Sequence, residues 1–379
     1  MTSRIYLDHA ATTPVRPEVE AAMTPWLRRE YGNPSSTHAE GRRAKDALDM
    51  ARERVAESIG ALFGEITFTS SGTEAANLGI VGLALNQISG PRRRILIGAA
   101  EHHCVLHTQK TLEKLGYQIE HLQVDPHARV HVEQAREKID DSVLLVAVMH
   151  ANNETGAIQE LGPIAERCRE TGAHLMVDAV QTYGQLPIQV DEVGADLLTI
   201  SAHKIGGPKG VGALYLRGGV LIDPLISGGG QEREVRGGTE NVAGVVGFGE
   251  AVTRVHQPSE KQAARDLFVA GLKGQAALPI VWTCPDGVDV LPGHAHFRVP
   301  GLRAETALIA FDRAGIACSS GAACSSGSVE PSHVLLASGL SADEANEGLR
   351  FTFGWTSTQA EAKEAVQRVG DVLQKLYTA

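Results

Sequence analysis

LLTISAHKIGGPKGVGALYLR, residues 197–217, carries the strongest fold signal in the chain. An apolar run ends in Ser201, Ala202, His203 and Lys204 follow, and a glycine-rich turn leads into a second apolar run from Val211 to Leu216. The pattern reads as strand, loop, strand. The loop then lies where strand ends meet, which is where open α/β sheets hold their ligands. On this stretch alone Lys204 admits two readings: a solvated lysine in a surface loop, or an amine placed to act on a bound molecule.

Upstream, strands and helices alternate. RILIGAA (94–100) is followed by a helix after Glu101, YQIEHLQVD (117–125) by a helix after Val132, and SVLLVAVMH (142–150) by a helix after Pro163. AHLMVDAV (173–180) and DLLTIS (196–201) complete the series. This alternation predicts a mostly parallel sheet covered on both faces. Polar residues gather where the apolar runs stop: His102 and His103, Asn152 and Asn153, Asp178 and Gln181, then Ser201, His203 and Lys204. In a parallel sheet those ends share one edge, so these side chains can converge on one crevice.

Nearer the N-terminus, YLDHAATTP (6–14) reads as an extended segment entering a turn at Pro14, with helical periodicity over 18–29 and 41–59. The strand ITFT (66–69) then runs into Ser70, Ser71, Gly72 and Thr73, and a helix begins near Glu74. Small residues there expose the first backbone N–H groups of the helix, a ready phosphate site. A plain N-cap explains the same residues. Beyond the glycine-rich stretch 228–241 and a helix near 242–256, the pattern changes to a smaller α/β unit from about 260 onward. Ser341 with Glu344, and Thr358 with Glu361, have capping-box spacing and place two of its helices.

At 379 residues the chain can bury a large core and form more than one domain. The net charge of −10 argues against general binding to nucleic acid or an anionic membrane. No apolar run reaches membrane-spanning length, and MTSRIYLDHAATT lacks the core of a secretory signal, so a cytoplasmic enzyme is expected. Five cysteines are few and odd in number, which disfavours a disulfide framework, and their spacing matches no common zinc ribbon, so no metal is expected. Cys324 lies in the long small-residue loop ACSSGAACSSGSVEPSHVL, where a cysteine has little to pack against. It reads equally as a reactive thiol or an inert one. Cys318, nearer the preceding helix, reads as a packing residue.

One chemistry gives each of these parts a task. If Lys204 forms a Schiff base with pyridoxal phosphate, the Gly72–Thr73 turn cradles the phosphate and an acid, for which Asp178 is suited, keeps the pyridine nitrogen protonated. Gln181 can hydrogen-bond the ring oxygen and His102 can stack over the ring. Seen singly, Asp178 is better read as an ordinary strand-end residue.

The motifs YLDHAATTP, GNPSSTH, FTSSGTEAAN, EHHCVL, NNETG, VDAVQ, SAHKIGGPKGVG, RGGTEN, SSGAACSSGSVEPSHVL and LRFTFG run in this order over nearly the whole length. Together they resemble the cysteine desulfurases, the NifS/IscS-like subfamily of the class V aminotransferases. The resemblance implies a fold-type I α/β architecture: a large domain over 15–257 with a mostly parallel seven-stranded sheet, and a smaller α/β domain from 1–14 and 258–379 that carries the Cys324 loop. It implies Lys204 as the Schiff-base lysine, with Ser201, His203, Gly72 and Thr73 on the phosphate and Thr239 reaching the phosphate of the neighbouring subunit of a homodimer. His102, Asp178, Gln181 and Asn153 would contact the cofactor, Arg350 and Asn153 the substrate, and Cys324 would be the nucleophile, with His102 a candidate base. The implied reaction converts L-cysteine to L-alanine and leaves a persulfide on Cys324 for a sulfur-acceptor protein, such as an iron–sulfur scaffold or a thiolation enzyme. No direct nucleic-acid or membrane partner is expected.

Three features depart from the subfamily pattern. Trp355 stands where many members have a basic or small polar residue. Cys318, six residues before Cys324, leaves packing, a regulatory disulfide and a sulfur relay open. His103 and Cys104 beside His102 invite a metal reading, which the spacing does not support. Two rival functions remain: a selenocysteine lyase or other class V enzyme, which needs no such thiol, and a catalytically silent scaffold for sulfur assembly, against which Lys204, Asp178, Cys324 and Arg350 argue.

Overall fold

A computed structural model describes residues 4–255, 259–276, 278–321 and 330–377. Its strands in chain order are β1 (Ile5–Tyr6), β2 (Ile66–Thr69), β3 (Arg94–Gly98), β4 (Gln118–Leu122), β5 (Val143–Met149), β6 (His174–Asp178), β7 (Leu197–Ser201), β8 (Gly212–Leu216), β9 (Val281–Trp282), β10 (His294–Arg298), β11 (Ile316–Ala317) and β12 (Gly348–Thr352). Seven of them form one sheet in the order β2-β8-β7-β6-β5-β3-β4. β3 to β7 run parallel, and β8 alone runs against its neighbours on both sides. The stretch 197–217 is therefore the hairpin that closes the parallel series, with Ser201 paired to Gly212.

β5 is buried along its whole length, as a central strand covered on both faces must be. Leu96, Val146, Val148, Leu175, Val177, Leu198 and Ile200 face one apolar cluster with the helices Ala39–Glu57, Gly162–Thr171 and Val242–Val252. Ile95, Ile97, Leu145, Ala147, Met176 and Leu197 face the other, with the helix Gly72–Asn86. The sequence reading placed that helix start near Glu74. Ser71 instead caps it by accepting the Glu74 N–H at 3.1 Å, so the helix opens two residues earlier, at Gly72.

A second, antiparallel sheet has the order β12-β10-β9. Its core face carries Ala295, Phe297, Leu349 and Phe351, which join Phe268 and Phe311 in a separate apolar cluster. The opposite face carries His294 beside Thr352 and His296 beside Arg350. β1 pairs with β11 in a two-stranded sheet, and the Leu7 carbonyl accepts from the Thr352 N–H while the His9 N–H donates to the Thr352 carbonyl, so the N-terminal segment is laced to the C-terminal part of the chain. Both capping boxes read from sequence are formed: Glu344 and Ser341 bond reciprocally, as do Glu361 and Thr358. Among the described residues no helix is long and apolar enough to cross a membrane.

Candidate active site

β2, β3, β5, β6 and β7 all point their C-terminal ends to one edge of the large sheet, and a cavity of about 380 Å³ opens there. Gly72 and Thr73 reach it after β2, His102 after β3, Asn153 after β5, Asp178 from the end of β6 and Gln181 just beyond it. Ser201, His203 and Lys204 come from the end of β7, and Arg350 from β12. Every site residue expected from sequence lines this one cavity except Thr239 and Cys324. Thr239 is exposed and lies outside the cavity of its own chain. Cys324 falls outside the described residues.

Lys204 ends a single 3₁₀ turn, Ala202–Lys204, made possible by Gly207, where an added Cβ would sit 2.8 Å from the Ala202 carbonyl oxygen. Its Nζ donates to the carbonyl oxygens of Ala10 and, at 2.9 Å, Ala11. Gln181 Nε2 donates to the same Ala10 oxygen at 3.1 Å. The segment YLDHAATTP thus supplies the floor on which the lysine rests, a role its sequence did not announce. Asp178 is 8 % exposed, and its Oδ1 accepts the Val180 N–H at 2.9 Å and the Thr199 hydroxyl at 3.2 Å. That leaves Oδ2 for a ligand, since it takes no hydrogen bond among the described residues.

Burial dominates the ionisation of the imidazoles. It holds His102 below the ordinary range, with Lys204 and two neighbouring imidazoles adding to the effect and Asp178 opposing it. It takes His203 down to about 4, helped by Lys204 and Lys209. Both rings are neutral near pH 7, and His102 Nδ1 accepts the Cys104 N–H at 3.2 Å.

Arg350 is only 3 % exposed. Its Nη1 donates to the Asn153 carbonyl at 2.8 Å and its Nη2 to Asp8 Oδ1 at 3.0 Å, while Nε has no partner among the described residues. Asn153 Oδ1 is likewise buried without a partner among the described residues. Orphaned buried donors and acceptors are costly, and here an orphaned donor and an orphaned acceptor belong to two residues lining one cavity.

These observations fit pyridoxal phosphate. The 15-residue helix Gly72–Asn86 begins at the cavity, where Gly72 and Thr73 line the wall with the partial positive charge of a helix N-terminus. Gly212 lies so close to this turn that an added Cβ would stand 2.4 Å from the Ser71 carbonyl carbon. In the same cavity lining, a carboxylate (Asp178), an amine (Lys204) and an imidazole (His102) suit the ring nitrogen, the aldehyde and the ring face.

Sequence reasoning missed Asp8, Glu101 and Glu154. Asp8 holds one arm of the Arg350 fork. Glu101 is fully buried behind Asp178, and burial, with the Asp178 charge, raises its carboxyl well above the usual range despite the Met149 N–H bound at 2.7 Å. Glu154, also raised by burial, accepts the Ser332 hydroxyl at 2.5 Å and lies against Gly321. Only the letters E in EHHCVL and NNETG mark these two acids, and nothing in the sequence says that they are buried. Cys318 packs against the aromatic cluster of the small sheet, with its thiol raised by burial. Among the described residues no group of three or more His, Cys, Asp or Glu side chains is placed to hold a metal.

The class-V aminotransferase family model matches residues 5–364. The cysteine desulfurase IscS of Dictyoglomus turgidum is 40 % identical over 383 residues, spanning 100 % of this chain and 96 % of that one. A NifS-like protein of known structure superposes with a TM-score of 0.90 at 32 % identity, covering 98 % of this chain and 100 % of that one. SspA in complex with cysteine superposes at 0.82 with 33 % identity, covering 93 % of this chain and 99 % of that one.

Proposed function

We infer, from the premise that this chain belongs to the class-V aminotransferase family and to the cysteine desulfurases within it, that it removes sulfur from L-cysteine, using pyridoxal phosphate. The observation that carries this reading is the convergence of Lys204, Asp178, Arg350 and the Gly72–Thr73 turn on one cavity. Bound pyridoxal phosphate supplies an electron sink that weakens the bond between the substrate's β-carbon and its sulfur.

The chain's own residues do the rest. Gly72, Thr73, Ser201 and His203 would hold the phosphate, and Thr239 would reach the phosphate of the second subunit in a homodimer. Asp178 Oδ2 would keep a proton on the ring nitrogen, Gln181 would bond the ring oxygen, and His102 would lie over the ring. Lys204 Nζ would hold the aldehyde carbon of the bound cofactor, and the same amine would serve as the base that carries the proton from the substrate Cα. Arg350 and Asn153 orient the substrate, the guanidinium taking its carboxylate. Cys324, as thiolate, attacks the substrate sulfur. An S–S bond forms on Cys324, the C–S bond breaks, and the carbon fragment takes up protons to leave as alanine. His102, neutral in its buried setting, is the candidate to remove the Cys324 proton.

Two features support placing Cys324 here. Gly321 and Ser332, at either end of the segment, both touch Glu154, the neighbour of Asn153. The persulfide passes to an acceptor protein, an iron–sulfur scaffold or a thiolation enzyme, in the cytoplasm and without nucleic acid or membrane as partner. The two-domain division at 15–257 belongs to the same reading. It is supported by the separate apolar cluster around β10 and β12.

Cys324→Ala tests it. Alanine and sulfide release from L-cysteine should fall by at least about a thousandfold, with the near-visible absorbance of the bound cofactor intact. Lys204→Ala should abolish that absorbance. Full activity in Cys324→Ala would remove the nucleophile assignment and favour a lyase that needs no thiol.

A further inference from the structure

Among the described residues, 232–234 hold the longest run of left-handed backbone outside glycine. Glu232, Arg233 and Glu234 have φ of 46, 56 and 68°, three successive non-glycine residues in the left-handed region. Such conformations persist where surrounding contacts impose them, and they cluster at functional sites. Here the contacts are explicit. Glu232, 6 % exposed, makes a two-pronged ion pair with Arg52, 4 % exposed, at 2.7 and 2.8 Å. The same carboxylate accepts the Phe68 N–H at 2.9 Å, and the Arg52 and Arg233 guanidinium groups donate to the Ile66 carbonyl at 2.7 and 2.6 Å.

Ile66 and Phe68 lie on β2, the edge strand of the large sheet. The run 232–234 and Arg52 therefore satisfy backbone groups that the edge strand leaves open. Two residues further on, Arg236 donates to Glu74 Oε1 at 2.8 Å. The other Glu74 oxygen accepts the Ser70 N–H at 2.8 Å, and the Glu74 N–H is capped by Ser71. One short segment thus grips the turn from β2 into the helix Gly72–Asn86 on both sides: Glu232 holds the strand that enters the turn, and Arg236 holds the helix that leaves it.

We propose that Glu232 and Arg236 are positioning residues for the cofactor phosphate, bracing the Ser71–Thr73 turn so that its N–H groups are aimed before the phosphate arrives. This rests on the reading of that turn as the phosphate site. Neither side chain lines the cavity, so both act through the turn. Preorganisation of this kind shows as affinity, because a braced turn loses less freedom on binding.

The test uses the enzyme stripped of cofactor and titrated with pyridoxal phosphate or with pyridoxal, the same aldehyde without the phosphate, followed by near-visible absorbance. Arg236→Gln and Glu232→Gln should weaken pyridoxal phosphate about tenfold, the scale of one charge-assisted hydrogen bond, and leave pyridoxal unchanged. Arg236→Lys should recover part of the loss. Because Arg236 is partly exposed, its variants fold even if removal of the buried Glu232 charge does not allow it. Equal weakening of both ligands, or of neither, overturns the proposal. If the unaltered enzyme itself fails to prefer pyridoxal phosphate over pyridoxal, the phosphate reading of the turn fails, and this inference fails with it.

Discussion

At the scale of single residues, the site works by leaving selected atoms unsatisfied. Asp178 Oδ1 is fully engaged by its own strand end and its neighbour, so the carboxylate is fixed while Oδ2 stays available. Arg350 is anchored in the same way: Asp8 and the Asn153 carbonyl hold the two terminal nitrogens, and Nε has no partner among the described residues. The anchoring fixes the planar fork in advance, which a lysine at this position cannot reproduce, because its ammonium is a point charge on a flexible stem. Arg350→Lys should raise the KM for L-cysteine about tenfold or more, a loss of roughly 1.5–3 kcal/mol for hydrogen bonds to a charged group. The cofactor absorbance should stay unchanged. Steady-state kinetics at fixed cofactor saturation give the answer, and an unaltered KM would show that another group takes the carboxylate.

Among the elements, the decisive contact is that between the hairpin β7–β8 and the turn after β2. Gly212 begins β8 opposite both Ser201 and Thr69, so the backbone of the hairpin touches the turn that would hold the phosphate. A Cβ at 212 would meet the Ser71 carbonyl carbon at 2.4 Å and the Gly72 nitrogen at 2.7 Å, and these are backbone atoms that cannot rotate away. Gly212→Ala should cost about 1–3 kcal/mol by overpacking. It should also weaken pyridoxal phosphate more than Gly210→Ala, where nothing lies within 4 Å and only the positive φ is strained. Thermal unfolding and cofactor titration of the two variants separate crowding of the turn from general backbone strain. The VGAL that follows Lys204 was legible as a strand, but the crowding that requires its glycine was not, because the partner residue is more than a hundred positions away.

For the whole molecule, buried imidazoles set the response to acid. His9 and His203 are held down to about 4 and His296 to about 3, in each case chiefly by burial. In the unfolded chain they titrate near the ordinary value of about 6.5. Folded-state values below the unfolded one mean that the unfolded chain binds more protons over this interval. The stability these groups contribute is therefore complete above about 6.5 and lost as pH falls through about 4. The melting temperature should drop across that window, and His296→Gln should shallow the drop when thermal scans are compared at several pH values. A slope unaffected by the substitution would mean that His296 is already protonated in the folded state. What the sequence determined by itself is local and ordered along the chain: alternating apolar runs and helices, capping boxes at Ser341 and Thr358, and a set of polar residues stationed at strand ends. Those features follow from periodicity and from hydrogen bonds between residues a few positions apart, which any reader of the string can count. Only the tertiary structure decided that Ala10 and Ala11 receive the Lys204 amine, that Asp8 pins Arg350 across 342 positions, and that Glu101 and Glu154 are buried. These depend on which distant segments share a cavity wall, and a carboxylate's environment, unlike its identity, exists only once that wall has been built.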